Sequence, residues 1–258
     1  MFGKFAVRGI AVLLFFLLLP VCGGMSQAFA QYQINVDGDA LMQSPVPALT
    51  VAEPFGLATM PVIGGGLLAK WDGVTGEIRA ESDVLARCRA HASPCPSAAQ
   101  KFLAVIAEGR AHQGRARLGL INRAINLAIA PMSDLAQWGV PDHWSAPLET
   151  FTTGRGDCED YAIAKYVALL EAGVAADDVR LVIVHDLAFE QDHAVVAARL
   201  DGKWMMLDNR RLVLLQDVDM PGVQPLFVLD DSGVKQFAPP DVAGADNMPV
   251  AAPGSVDF

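Results

Sequence analysis

Cys158 stands in the stretch GRGDCEDYAIAKY, with Asp157 directly before it and Glu159 and Asp160 directly after it. A cysteine does covalent chemistry as its thiolate, and neighbouring carboxylates disfavour that form. The thiol is therefore either inert or accompanied by something that offsets the acids. The same residues open a helical pattern: Ala162, Tyr166 and Leu169 recur on one side with Cys158, and Gly173 is the expected stop. Asp157 then stands at the N-cap and Asp160 in the first turn, so the thiol lies at the positive end of a helix dipole, where a thiolate is favoured. Dipole and acids oppose one another, and the balance depends on where the carboxylate oxygens point.

A base and an orienting group follow from register. Three strand-like runs begin at Val179 (VRLVIVHD), His193 (HAVVAARL) and Lys203 (KWMMLD). The last two flank Asp201-Gly202, a short-range hairpin signal. With those two residues as the turn, Val195 lies opposite Asp208, and His193 becomes the diagonal neighbour of Asp208 on the same face. Diagonal neighbours sit about 7 to 8 Å apart at the backbone, within reach of an imidazole to carboxylate hydrogen bond. A slip of one residue would put the two side chains on opposite faces. Nucleophile, base and orienter are the parts of a covalent catalytic site. Spacing does not show that the helix start meets the hairpin, so a plain alternative stays open: His193 begins an ordinary strand and Asp208-Asn209 ends one.

The elements around these residues are partly readable. From Pro96 to Ala130, apolar residues including Phe102, Ile106, Leu118, Ile121 and Ile125 recur at helical spacing, consistent with two helices broken near Gly109 to Gly114. Residues 131–156, rich in proline and glycine and carrying Trp138 and Trp144, read as a loop, and long loops in compact domains are commonly functional or disordered. Trp71, Trp138 and Trp204 read as packing residues. His91, His112 and His143 receive no role. His185 ends the strand before His193 and competes with it for the base position, but has no carboxylate partner in the register above.

The whole chain narrows the function classes. Residues 1–30 read as a signal peptide: Lys4 and Arg8, an apolar run from Ile10 to Leu19, then Ala28-Phe29-Ala30, with cleavage expected after Ala30 and a retained anchor as the alternative. Cys22 fits a lipoprotein signal poorly, because valine precedes it. Localisation is therefore expected to be periplasmic. Loss of the two leader bases makes the formal charge of −10 more negative, which excludes nucleic-acid binding by phosphate neutralisation. Residues 31–67 read as an irregular segment rich in Pro, Gly and Ala, 68–238 as the folded domain, and 239–258 as a disordered tail.

Beyond the leader three cysteines remain, an odd number. In an exported protein Cys88 and Cys95, in CRAHASPC, are a plausible disulfide, because Ser93-Pro94 can turn the chain back. That leaves Cys158 alone, either buried and inert or held free for a purpose.

The motif GDCEDYAIAKY, preceded by DHWSAPLETF and followed by DHAVVAARL and MMLDNR, resembles the bacterial transglutaminase-like cysteine proteinases, the family of LapG-type periplasmic proteases. The resemblance runs from about Ala116 to Phe237. It implies an α+β fold with a papain-like, transglutaminase-type core, N-terminal helices packed on an antiparallel β-sheet. Carried over by residue, it implies Cys158 as nucleophile, His193 as general base and acid, and Asp208 as the group orienting the imidazole. The Cys158 N–H is then the expected oxyanion donor, with the loop near Trp144 as a second source. The resemblance further implies calcium bound by Asp157, Glu159 and Asp160, a cation that would offset the acids beside the thiol; hard carboxylate oxygens suit calcium. A capped helix with solvated acids is the alternative. Family substrates are large surface adhesins cut at a di-alanine site, which releases cells from a biofilm, and a cyclic-di-GMP-sensing inner-membrane receptor restrains the protease; both are partners the resemblance implies. Two other functions remain compatible with the residues: transglutaminase-like acyl transfer to an amine by the same triad, and a non-catalytic binding module on the same fold.

Overall fold

The computed structural model describes residues 52–91 and 94–238. The readings for residues 1–30, for 31–51 and for 239–258 lie outside them. In chain order the elements are β1 (Thr59–Pro61), α1 (Gly66–Arg89), α2 (Ser97–Arg110), α3 (Gly114–Ala128), β2 (Ala130–Pro131), α4 (Asp134–Trp138), α5 (Pro147–Thr153), β3 (Arg155–Gly156), α6 (Cys158–Glu171), β4 (Val179–Asp186), β5 (Gln191–Leu200), β6 (Lys203–Leu207), β7 (Leu215–Gln216), β8 (Val223–Asp230) and β9 (Gly233–Phe237). Seven strands form an antiparallel sheet in the order β1-β9-β8-β4-β5-β6-β7, and β2 pairs with β3 in a small parallel ladder. The fold is α+β, with the helices on one face of the sheet.

The long middle of α6 is buried from Tyr161 to Leu169, as expected of a helix enclosed on all sides. It packs on β4 and β5 and is covered by α2, α3 and α5. Three alanines, Ala162, Ala164 and Ala168, keep its surface low enough for this close approach. Strands β4 and β5 show apolar runs rather than alternation, because both faces of the sheet are covered. Leu181, Val196 and Leu207 join the core beneath the helices, whereas Val182, Val195, Trp204 and Met206 form a second cluster on the opposite face.

That second face is closed by the chain before α1. Phe55 and Leu57 pack on it, the Trp204 Nε1–H donates to the Ala52 carbonyl at 2.9 Å, and Glu53 accepts from Arg180 Nε at 2.8 Å. Strand β1 then pairs with β9. Residues 52–67, inside the stretch read as irregular, thus contribute an edge strand and a covering strap. The segment 131–156 also differs from its reading as a loop: it carries α4 and α5, the latter started by Pro147 at its first turn, a position where proline's missing N–H costs nothing.

The hairpin register is the one the Asp201-Gly202 turn requires, with Val196 opposite Leu207 and Leu200 opposite Lys203. Both turn residues have positive φ, 51° and 77°, as a type I′ turn demands. Cys88 and Cys95 are joined by a disulfide across a short loop between α1 and α2. By loop-closure entropy this bond is worth about 2 to 3 kcal/mol, so reduction with dithiothreitol is expected to lower the melting temperature by several degrees in calorimetry; an unchanged value would show that the bond contributes nothing to stability.

Candidate active site

Cys158 is the first residue of α6 and the single free cysteine among the described residues. Helix α6, which Cys158 opens, packs against β5, and the Ala194 N–H, from the residue after His193, is among the groups that favour the thiolate. His193 and Asp208 are both buried, and the imidazole Nε2 is 2.9 Å from Asp208 Oδ1. An ionised carboxylate accepts only, so Nε2 carries the proton and Nδ1 is left as the basic nitrogen. Nδ1 is buried and without a hydrogen-bond partner among the described residues. The thiol's own hydrogen bond goes instead to Glu159 Oε2, at 3.1 Å.

Asp208 is held from several directions. Its carboxylate also accepts the Arg210 N–H at 2.9 Å, with the Arg211 guanidinium 3.6 Å away. Burial alone would raise its carboxyl, but the His193 bond, the Arg210 N–H and the charge of Lys165 together hold it below the usual carboxylate range. From α3, the Asn126 amide donates to the Asp208 carbonyl and the Asn122 amide to the Arg211 carbonyl, each at 2.9 Å. The helical spacing of α3 placed these asparagines beside its apolar stripe, and a polar side chain there needs a partner. That was the signal for them in the sequence.

The acids beside Cys158 are not arranged as a capped helix. Asp157 occupies the N-cap position but makes no capping bond; its Oδ2 accepts the Asp134 N–H at 3.2 Å. Asp160 is fully buried and accepts the Ser145 N–H at 2.9 Å, while Asp134 accepts the His143 N–H. Two sets of acids bring ligand oxygens within 4.8 Å of one another: Asp134, Asp157 and Asp160, and Asp134, Asp142 and Glu159. Asp134 Oδ1, Asp157 Oδ1 and Asp160 Oδ2 are buried without partners among the described residues. Orphaned, converging carboxylate oxygens are what a hard divalent cation would satisfy. Asp157 and Asp160 fall in one set and Glu159 in the other, and Asp134, from the segment read as a loop, is common to both, with Asp142 beside Glu159.

The electrostatics record this crowding. Burial, then the charge of Asp157, pushes Glu159 up to about 9, and burial pushes Asp160 up to about 7. Burial and then Glu159 push the Cys158 thiol well above its ordinary range. Space is equally tight: a Cβ on Gly156 would lie 2.7 Å from Asp160 Cβ. Gly156→Ala is expected to destabilise the protein by about 1 to 3 kcal/mol, read as a lower denaturation midpoint; an unchanged midpoint would mean that the Asp160 region yields freely.

His185 does have a carboxylate partner, contrary to the register reading: Asp192 lies directly across from it, with Nδ1 2.8 Å from Oδ1. The pair is solvent-facing, and His185 alternates with Val184, the residue opposite His193, so the two histidines leave opposite faces. His185→Ala is expected to keep cleavage within about twofold of wild type in a peptide assay, and a large loss would reassign the base.

Residues 80–219, more than half of the chain, match the family model of the bacterial transglutaminase-like cysteine proteinases. The chain belongs to this family. It is a transglutaminase-like cysteine peptidase, and its family implies a protein substrate. Solved structures agree on the fold: Legionella pneumophila LapG, at 22% identity, covers 60% of this chain and 86% of its own, with a TM-score of 0.50. An EGTA-treated form of the same protein, at 21% identity, covers 63% and 91%, again with a TM-score of 0.50. A calcium-bound form, at 22% identity, covers 52% and 87% with a TM-score of 0.40. No curated protein matches the sequence. Within the family match fall Cys158, His193, Asp208 and all five acids described above.

Proposed function

We propose that this peptidase cleaves its substrate with Cys158 as nucleophile, His193 as general base and acid, and Asp208 as orienter. The observation that carries this reading is the buried His193 to Asp208 bond of 2.9 Å, which leaves Nδ1 free on a strand packed against the helix that the only free thiol among the described residues opens. The Cys158 proton passes to Nδ1 as sulfur bonds to the peptide carbonyl carbon. The imidazolium then gives that proton to the leaving amine as the C–N bond breaks. Water attacks the thioester, yields its proton to Nδ1, and releases acid and thiol. The Cys158 N–H, one of the first-turn N–H groups that a helix leaves without an intrahelical acceptor, is the donor best placed for the oxyanion.

Calcium belongs to the same proposal. The orphaned oxygens of Asp134, Asp157 and Asp160, with Asp142 and Glu159 beside them, fit a hard cation. Bound there, it supplies positive charge that offsets the acids around the thiol. Glu159 would then be held by that charge instead of accepting the thiol's hydrogen bond.

The place of action we propose is the periplasm, reached by a cleaved leader; the Cys88 to Cys95 disulfide supports an oxidising compartment. The proposed substrate is a large surface adhesin cut at a di-alanine site to control biofilm attachment, with a cyclic-di-GMP-sensing inner-membrane receptor as restraint; the family membership supports this. Incubation of the protein with a di-alanine peptide, with and without a primary amine, tests the reaction. Two peptide fragments in both cases are expected, and an amide adduct in place of fragments would make it an acyl transferase.

A further inference from the structure

Two loops leave the sheet at the end that carries His193 and Asp208: the turn between β4 and β5, residues 187–190, and the segment that follows β6. Arg210 joins them. Its backbone N–H donates to Asp208 Oδ1 at 2.9 Å, while its guanidinium reaches across to the turn, where Nη1 donates to Asp186 Oδ2 at 2.8 Å and Cζ stands 5.5 Å from the centroid of the Phe189 ring. A charge-assisted bond and a cation–π contact on one guanidinium fix its direction as well as its place. The turn is a firm support: the Leu187 N–H donates to the Gly222 carbonyl at 2.9 Å, and Asp186 Oδ1 accepts the Ala188 N–H at 3.0 Å. On the other side, Asn122 and Asn126 from α3 hold the Arg211 and Asp208 carbonyls and leave the Asp208 carboxylate alone. Among the described residues, that carboxylate accepts hydrogen bonds from the His193 imidazole and the Arg210 N–H. Arg211, exposed and 3.6 Å away, adds charge without a bond.

We infer that Arg210 is a positioning residue of this peptidase: its side chain, gripped by Asp186 and Phe189, holds its backbone N–H on Asp208 and so fixes the carboxylate that orients His193. The inference rests on the proposed triad and adds to it a clamp from the turn between β4 and β5. Orientation is what Asp208 contributes, so a carboxylate that has lost its second donor costs the imidazole its direction. The Arg210 guanidinium makes no bond to Asp208 itself; it acts through the main chain that it anchors.

Asp186→Asn keeps an acceptor for the Ala188 N–H and removes the charge that grips Arg210. With calcium saturating in every sample, it is expected to lower kcat on the di-alanine peptide by about tenfold to a hundredfold, with KM within about twofold of wild type. Arg210→Met is expected to do the same, and the double variant to lose no more than either alone, because both break one linkage. The Arg210 amide, followed by NMR hydrogen exchange, is expected to exchange at least about tenfold faster in Asp186→Asn. A residue that only stabilises the fold would lower the melting temperature and leave kcat of the folded protein in place. A wild-type kcat or a wild-type Arg210 exchange rate in natively folded Asp186→Asn overturns the inference; should that variant not fold, the same measurements on Arg210→Met decide it. Asp208→Asn separates the two readings. A wild-type kcat there removes Asp208 from the triad and the inference with it, whereas a lost kcat there beside a wild-type kcat in Asp186→Asn removes the clamp alone.

Discussion

Cys158→Ala is expected to abolish cleavage of the di-alanine peptide, by at least about a thousandfold, while the melting temperature stays within a few degrees of wild type. The side chain is only partly buried, so its loss leaves little cavity, and the helix start keeps its backbone. In cells, the surface proteome of the variant is expected to retain one large protein that the wild type sheds. Cleavage that persists in Cys158→Ala would remove the nucleophile from the proposal, and matching surface proteomes would remove the adhesin.

Chelation is expected to have the second largest effect. Excess EGTA should lower cleavage at least tenfold and lower the melting temperature, and readdition of calcium should restore both. At a calcium concentration about a hundred times its dissociation constant, the lost stability is about 2.7 kcal/mol. The pH dependence supplies the sign. Asp160 sits near 7 in the folded chain against an ordinary value of 3.8, so the folded state holds that proton more tightly than the unfolded one. The associated stability is fully present below about 4 and is lost as pH rises through about 7. In EGTA the melting temperature should therefore fall as pH rises from about 5 to about 7, and calcium should flatten that fall. Asp208, whose folded value is depressed, acts only at lower pH, where its contribution is lost. If EGTA alters neither activity nor melting, the acids hold no metal.

What the sequence made legible was local. The Asp201-Gly202 turn has one favoured geometry, and a two-residue turn leaves one register, so His193 and Asp208 could be paired before any coordinates. The helix from Cys158 declared itself by period and by Gly173. Asp134 did not, because its bond to Asp157 spans 23 residues and no periodicity connects them. Helix α5 was hidden because a seven-residue helix inside a run of prolines and glycines has little periodic signal, and its proline marks a start as readily as a turn. Capping chemistry misled in the same way: Asp157 has the residue type and position of an N-cap, and only the tertiary pull of Asp134 turns its carboxylate elsewhere.

The strap ahead of α1 has a practical corollary for anyone trimming the protein. A recombinant version starting at Leu68, where the periodic pattern begins, would lose β1 and the cover supplied by Phe55 and Leu57. Strand β9 would become an open edge, and Val182, Val195, Trp204, Met206 and Phe237 would face water beside it. Such a protein would retain every residue of the candidate site yet stick to its own copies, through a bare sheet edge and an oily patch. Its failure in an assay would report insolubility rather than chemistry.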